Sequence, residues 1–81
     1  MTQREKLLRK LRNNPRNVSF ETLDTLLKAY GFEMRAGAGS HRTYRRSNCA
    51  HVLTIPHATP LDTRYVKLAI QFIDRYAMEP E

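Results

Sequence analysis

The chain has 81 residues, with fourteen Lys and Arg against eight Asp and Glu, giving a net charge of +6 and a pI near 10.0. At this length a hydrophobic core only just outweighs chain entropy, so nearly every apolar residue is committed to packing and function falls to polar groups. The charge favours polyanionic partners, nucleic acid first and an anionic membrane surface second; no apolar stretch approaches a bilayer span, residues 1–20 show no secretory leader, and a soluble, cytoplasmic single domain over residues 1–81 is expected.

In chain order, Thr2 followed by Glu5 fits a capping box, and Leu7, Leu8 and Leu11 form one stripe among Arg4, Lys6, Arg9, Lys10 and Arg12. The pattern predicts a short basic amphipathic helix, ended by the turn formers NNPRN at residues 13–17. Ser19 can cap a second helix, with Val18 and Leu23 as a hydrophobic staple, Phe20, Leu23, Leu26, Leu27 and Tyr30 as its buried stripe, and Gly31 as its stop. Helical periodicity is then lost. Three extended runs, FEMRA, HRTYRR and HVLTIP, are separated by GAGS and SNCA and predict a three-stranded antiparallel meander. Thr59 and Pro60, or Asp62, offer the start of a last helix whose stripe is Leu61, Tyr65, Leu68, Ala69, Phe72, Ile73 and Tyr76. The expected fold is α+β: a three-stranded antiparallel sheet with helices on one face, in the order α-β-β-β-α over residues 18–78, preceded by the basic helix and turn of residues 1–17.

The charge is concentrated in two zones. Residues 1–16 carry +5 and residues 35–46 carry +4, so the rest of the chain is mildly acidic. The second zone contains GSHRTYRR. Strand alternation puts His41, Thr43 and Arg45 on one face and Arg42, Tyr44 and Arg46 on the other; Tyr44 is the natural core residue, which turns His41 toward water. Gly37 and Gly39 free the preceding turn to adopt backbone angles closed to other residues, so that a phosphate can approach the main chain beside Ser40. Histidine ordinarily titrates at about 6.5 and can take or give a proton near neutrality. Beside an RNA phosphate held by Arg42, Arg45, Arg46 and Arg35, the His41 imidazole can act on the 2′-hydroxyl or protonate the leaving oxygen, while the arginines stabilise the charge of the phosphorane-like transition state.

Gly39-Ser40-His41 at a strand start, Tyr44 and Arg45 just after it, a third strand ending Thr54-Ile55-Pro56-His57, and the closing helix RYVKLAIQFI together resemble the HicA family of toxins. The resemblance spans about residues 19–77. It implies a fold like that of double-stranded RNA-binding domains, a metal-independent endoribonuclease that needs no cofactor and cleaves messenger RNA, and a cognate HicB-type antitoxin as partner. The family's active-site histidine maps onto His41. Family members commonly place a second histidine or basic residue and a glycine shortly after the strand-ending proline, whereas here His57 follows Pro56 directly, so its supporting role stays open. The basic helix lies outside the family core.

Other readings compete. A noncatalytic RNA-binding module on the same fold is the alternative, with His41 a polar strand residue. Arg4, Arg9 and Arg12, with Lys10, read either as a solvated helix face or as a phosphate-tracking arm. His51 and His57 flank the core-facing Leu53 and Ile55 as end residues. Cys49, His51 and His57 match no zinc spacing, and Cys49 forms no internal disulfide. Tyr65, Phe72 and Tyr76 fit a core stripe better than a base-stacking platform.

Overall fold

The structure is a computed structural model, and it describes residues 2–37, 39–47, 51–58 and 60–77. Three helices and a three-stranded antiparallel sheet make a small α+β fold. In chain order these are α1 (Gln3–Asn13), α2 (Phe20–Ala29), β1 (Glu33–Ala36), β2 (His41–Arg45), β3 (Leu53–Pro56) and α3 (Thr63–Phe72), and α3 runs on into a π-helical turn at Ile73–Ala77.

Local chemistry sets each helix start. The Thr2 hydroxyl accepts the Glu5 backbone N–H while the Glu5 carboxylate accepts the Thr2 N–H, a closed capping box. Ser19 caps α2 by accepting from the Thr22 N–H. Of the starts offered for α3, Asp62 is the one used, its carboxylate accepting the Arg64 N–H at 2.8 Å; Thr59 lies outside the described residues. Gly31 ends α2 at φ +88°, a left-handed conformation that side chains resist. The loop into α3 is tied to the entry of α2, because the Leu61 N–H donates to the Val18 carbonyl at 2.8 Å.

The strands run in the order β1-β2-β3. Met34 pairs with Tyr44 and Tyr44 with Leu53, while Arg42 pairs with Ile55, so Tyr44, Leu53 and Ile55 share the face that α2 and α3 cover. All three are essentially inaccessible, within a single core cluster that also takes in Leu23, Leu26, Leu27, Val66 and Ile73. The Tyr44 hydroxyl donates to the Asp24 carboxylate at 2.6 Å, and Lys28 pairs with the other Asp24 oxygen at 3.0 Å, so the one polar atom of this central side chain is satisfied by α2.

The stripe of α3 differs from the one expected. Val66, Ala69, Ile70, Ile73 and Ala77 are buried, Tyr65, Phe72 and Tyr76 are half-buried, and Leu68 is exposed. Two stripes about one residue out of phase both fit the helical period here. Leu61, Ala69 and Ile73 are buried as expected, while Val66, Ile70 and Ala77 join them and Tyr65 and Phe72 pack at the margin of the core.

Helix α1 packs through Leu8 and Leu11 against α2 and α3. Two of its exposed arginines make contacts that hold it in place. Arg12 makes a two-pronged ion pair with Asp74 at 2.7 and 2.8 Å, and Arg4 lies 4.8 Å from the centre of the Tyr30 ring and reaches the Ala29 carbonyl. The Tyr30 hydroxyl is buried and has no hydrogen-bond partner among the described residues. Arg12 holds the Asp74 carboxyl below its ordinary value of 3.8. A depressed carboxylate stabilises the fold above its unfolded value and loses that contribution as the pH falls through its folded one. Both side chains are nearly half exposed, so the pair contributes at most about 1 kcal/mol. Asp74→Asn should therefore lower the urea midpoint slightly at pH 7 and by less as the pH falls below 3.8; an equal offset across that range would show that the pair is not its source.

Candidate nucleic-acid interface

The uncovered sheet face is built from alternate residues of the three strands. Register places Glu33 beside Arg45, Arg35 beside Thr43 and then Thr54, and His41 beside Pro56. His41, Arg35, Arg45 and Thr54 are exposed and Thr43 is partly so. The helices occupy the other side, so this row of an imidazole, two guanidinium groups and two hydroxyls faces solvent on a flat surface.

His41 is held by the hairpin before it. Its carbonyl accepts the Gly37 N–H at 2.9 Å, and the Ser40 carbonyl accepts the His57 N–H at 2.7 Å, which fixes the strand start on both sides. Gly39 sits at φ +63° in open space, and a Cβ at Gly37 would come within 3.2 Å of the His41 carbonyl oxygen. Gly39 is thus required by its backbone angle and Gly37 by its closeness to His41. Ser40 is exposed at the tip and serves the turn through its backbone.

The four arginines of residues 35–46 divide evenly. Arg35 and Arg45 stand on the open face. Arg42 is on the helix-facing side of β2, and its guanidinium folds back to the His41 carbonyl at 3.1 Å and the Gly39 carbonyl at 3.5 Å, bracing the hairpin tip. Arg46 lies just past the strand and donates to the Tyr30 and Tyr76 carbonyls, each at 2.9 Å. It satisfies backbone acceptors at the ends of α2 and of the π turn, where helices leave carbonyls without intrahelical donors. The expected set of phosphate holders is therefore split: the structure groups only Arg35 and Arg45 with His41, Arg42 remains close to the tip, and Arg46 is engaged inside the fold. Glu33, opposite Arg45, further reduces the positive potential of the face.

His57 is not brought to His41. The strand alternation that puts Pro56 on the open face turns His57 to the other side, where its ring lies 4.5 Å from that of Phe20. The two imidazoles cannot form a proton relay, and the part His57 plays at the site is the backbone bond to Ser40. The N-terminal arginines Arg4, Arg9 and Arg12 are all exposed; Arg4 and Arg12 are engaged by the contacts described above, with Ala29 and Tyr30 and with Asp74. Cys49 lies outside the described residues. The row Arg35, Thr43, Thr54 is the feature that the sequence did not disclose as a unit; Thr43 carried a signal through its alternation with His41, but Thr54 joins them only through the β2-β3 register.

No helix among the described residues is long and apolar enough to cross a membrane. In comparison with known proteins, the chain matches no family profile, no curated protein and no solved structure.

Proposed function

We propose that this protein is an RNA-cleaving toxin of the HicA type, a dsRBD-like domain whose open sheet face binds single-stranded messenger RNA and whose His41 transfers a proton in cleavage of the sugar-phosphate chain. The observation that carries the reading is the exposed His41 at the start of β2, on the same solvent-facing surface as Arg35 and Arg45. The helix order around the sheet agrees with that fold type, and the Gly39-Ser40-His41 motif supports the family.

In the reaction, the 2′-oxygen loses its proton and attacks phosphorus, and the 5′-oxygen leaves and takes up a proton, giving a 2′,3′-cyclic phosphate and a 5′-hydroxyl end. His41 supplies one of these two proton transfers. Arg35 and Arg45 carry the developing negative charge, and the Thr43 and Thr54 hydroxyls offer hydrogen bonds that place the backbone along the strands. Neutralisation follows from the same surface: an acidic segment of a HicB-type antitoxin would compete for the two arginines and cover the imidazole.

The test is incubation of the purified chain with single-stranded RNA at low salt in the presence of EDTA. Cleavage to cyclic-phosphate ends is expected. Retention of RNA without cleavage would replace the enzyme with a binding module, and loss of both would remove RNA from the account.

A further inference from the structure

With Arg4 set over the Tyr30 ring and Arg12 paired with Asp74, other basic residues of the N-terminal segment take up a definite arrangement at the surface. Lys6 and Lys10 line a hollow between α1 and α2, together with Gln3, Arg4, Leu7, Thr25 and Ala29. Lys10 also lines an adjoining hollow with Arg16, Asn14, Asn17 and Thr22. The shared Lys10 joins the two into one track, with Lys6, Lys10 and Arg16 along it, Arg4 at one end, and hydroxyls and amides between them. Glu5, the one acid of residues 1–16, is held in the α1 cap by Thr2 and is absent from the lining. Because α1 packs on α2 and α3, the track belongs to the helical side of the molecule and is separate from the open sheet face.

We infer that this Lys6-Lys10-Arg16 track is a second binding surface for the RNA sugar-phosphate backbone, distinct from the face that carries His41. The inference rests on RNA being the ligand of this protein. Charge complementarity supplies the first argument: three cations spaced along a shallow concave path suit a phosphate chain. The character of the lining supplies the second. Neither hollow presents an aromatic side chain of the kind that anchors protein partners. The two large exposed hydrophobic residues among those described, Val52 and Leu68, line a different groove beside Phe72 and Tyr76. An anionic membrane is disfavoured for a related reason, since Leu8 and Leu11, the apolar stripe that would have to enter the bilayer, are buried in the core. An RNA that engages both surfaces must pass over an edge of the domain, so long substrates gain from the track and very short ones do not.

The experiment uses the full chain carrying K6Q, K10Q and R16Q together, its fold checked by circular dichroism and thermal melting, and fluorescence anisotropy with a labelled single-stranded RNA of forty nucleotides. Neutralising three phosphate contacts should reduce the slope of log affinity against log salt by about 2, so a fourfold rise in salt should cost the wild type about 20-fold more affinity than it costs the variant. An unchanged slope overturns the inference. So does a finding that the wild type prefers polyglutamate or phosphatidylserine vesicles to RNA, with that preference lost in the variant. The outcomes separate from the ribonuclease reading: a chain that cleaves RNA with an unchanged slope sinks only the track, a chain that cleaves nothing but shows the smaller slope in the variant sinks only the enzyme, and a chain that retains no RNA sinks both.

Discussion

His41→Ala is expected to lower the single-turnover rate of RNA cleavage by about 10²- to 10⁴-fold, the usual contribution of a positioned proton-transfer group. Thermal stability and RNA affinity should stay close to wild type, because the side chain is exposed and packs in no part of the core. The backbone bonds that fix the strand start, Gly37 N–H to the His41 carbonyl and His57 N–H to the Ser40 carbonyl, do not involve the imidazole and survive the substitution. A variant that is folded, binds RNA and no longer cuts is the signature of a catalytic group. A cutting rate within a factor of two or three of wild type would show that His41 is a surface residue and that any cleavage arises elsewhere. His57→Ala serves as the contrast: its ring packs against Phe20, so it should cost stability before it costs rate.

The second large effect concerns Tyr44, the fully buried centre of the sheet. Tyr44→Ala should destabilise the fold by about 3–5 kcal/mol, as large-to-small changes of buried aromatic residues do. A domain of this size has roughly 4–12 kcal/mol in all, so the substitution removes a large share of its stability and lowers the melting temperature sharply. Tyr44→Phe keeps the ring and removes only the bond to Asp24, at about 1 kcal/mol, since Asp24 retains Lys28. The pH dependence separates the two contributions. Burial, reinforced by the hydrogen bond to Asp24 and its charge, pushes the Tyr44 phenol well above its ordinary value of 10.0. A group raised in the folded state stabilises fully below its unfolded value and loses that contribution as the pH rises beyond it. Wild type should therefore lose stability steeply above pH 10, and Tyr44→Phe should lose less over the same interval. Urea denaturation at pH 7 and pH 11 reads both effects, and parallel alkaline losses in the two proteins would refute the assignment to Tyr44.

Both predictions depend on one alternation along β2, in which His41 faces water because Tyr44 faces the helices. That much is legible in HRTYRR by itself: the period of a strand is fixed by covalent geometry, and one large aromatic residue is enough to set its phase. The helix caps are legible for the same reason. Thr2 with Glu5, and Ser19 with Thr22, satisfy backbone donors within a single turn, so the residues that make the contact are neighbours in the chain.

The candidate site is less completely written in the sequence. A count of arginines in residues 35–46 treats all four as equivalent, yet a guanidinium on a long side chain goes where acceptors lie. The acceptors for Arg46 are carbonyls 16 and 30 residues away, at Tyr30 and Tyr76. Arg12 finds Asp74 across 62 residues, and no pattern within α1 announces the pairing. The stripe of α3 was ambiguous because two phases of one period are both amphipathic, and the burial of Val66 and Ile70 appears only once the helix has packed on the rest of the chain.

Composition, charge and periodicity determined the element order, the antiparallel meander and the outward aim of His41, since each follows from interactions between residues a few positions apart. The tertiary structure alone decided how the cations are grouped: Arg35 and Arg45 on the sheet, Lys6, Lys10 and Arg16 on the helical side, with Arg4, Arg12 and Arg46 engaged by partners elsewhere in the fold. The physical reason is that a long charged side chain is directed by partners brought near only when the chain has closed on itself.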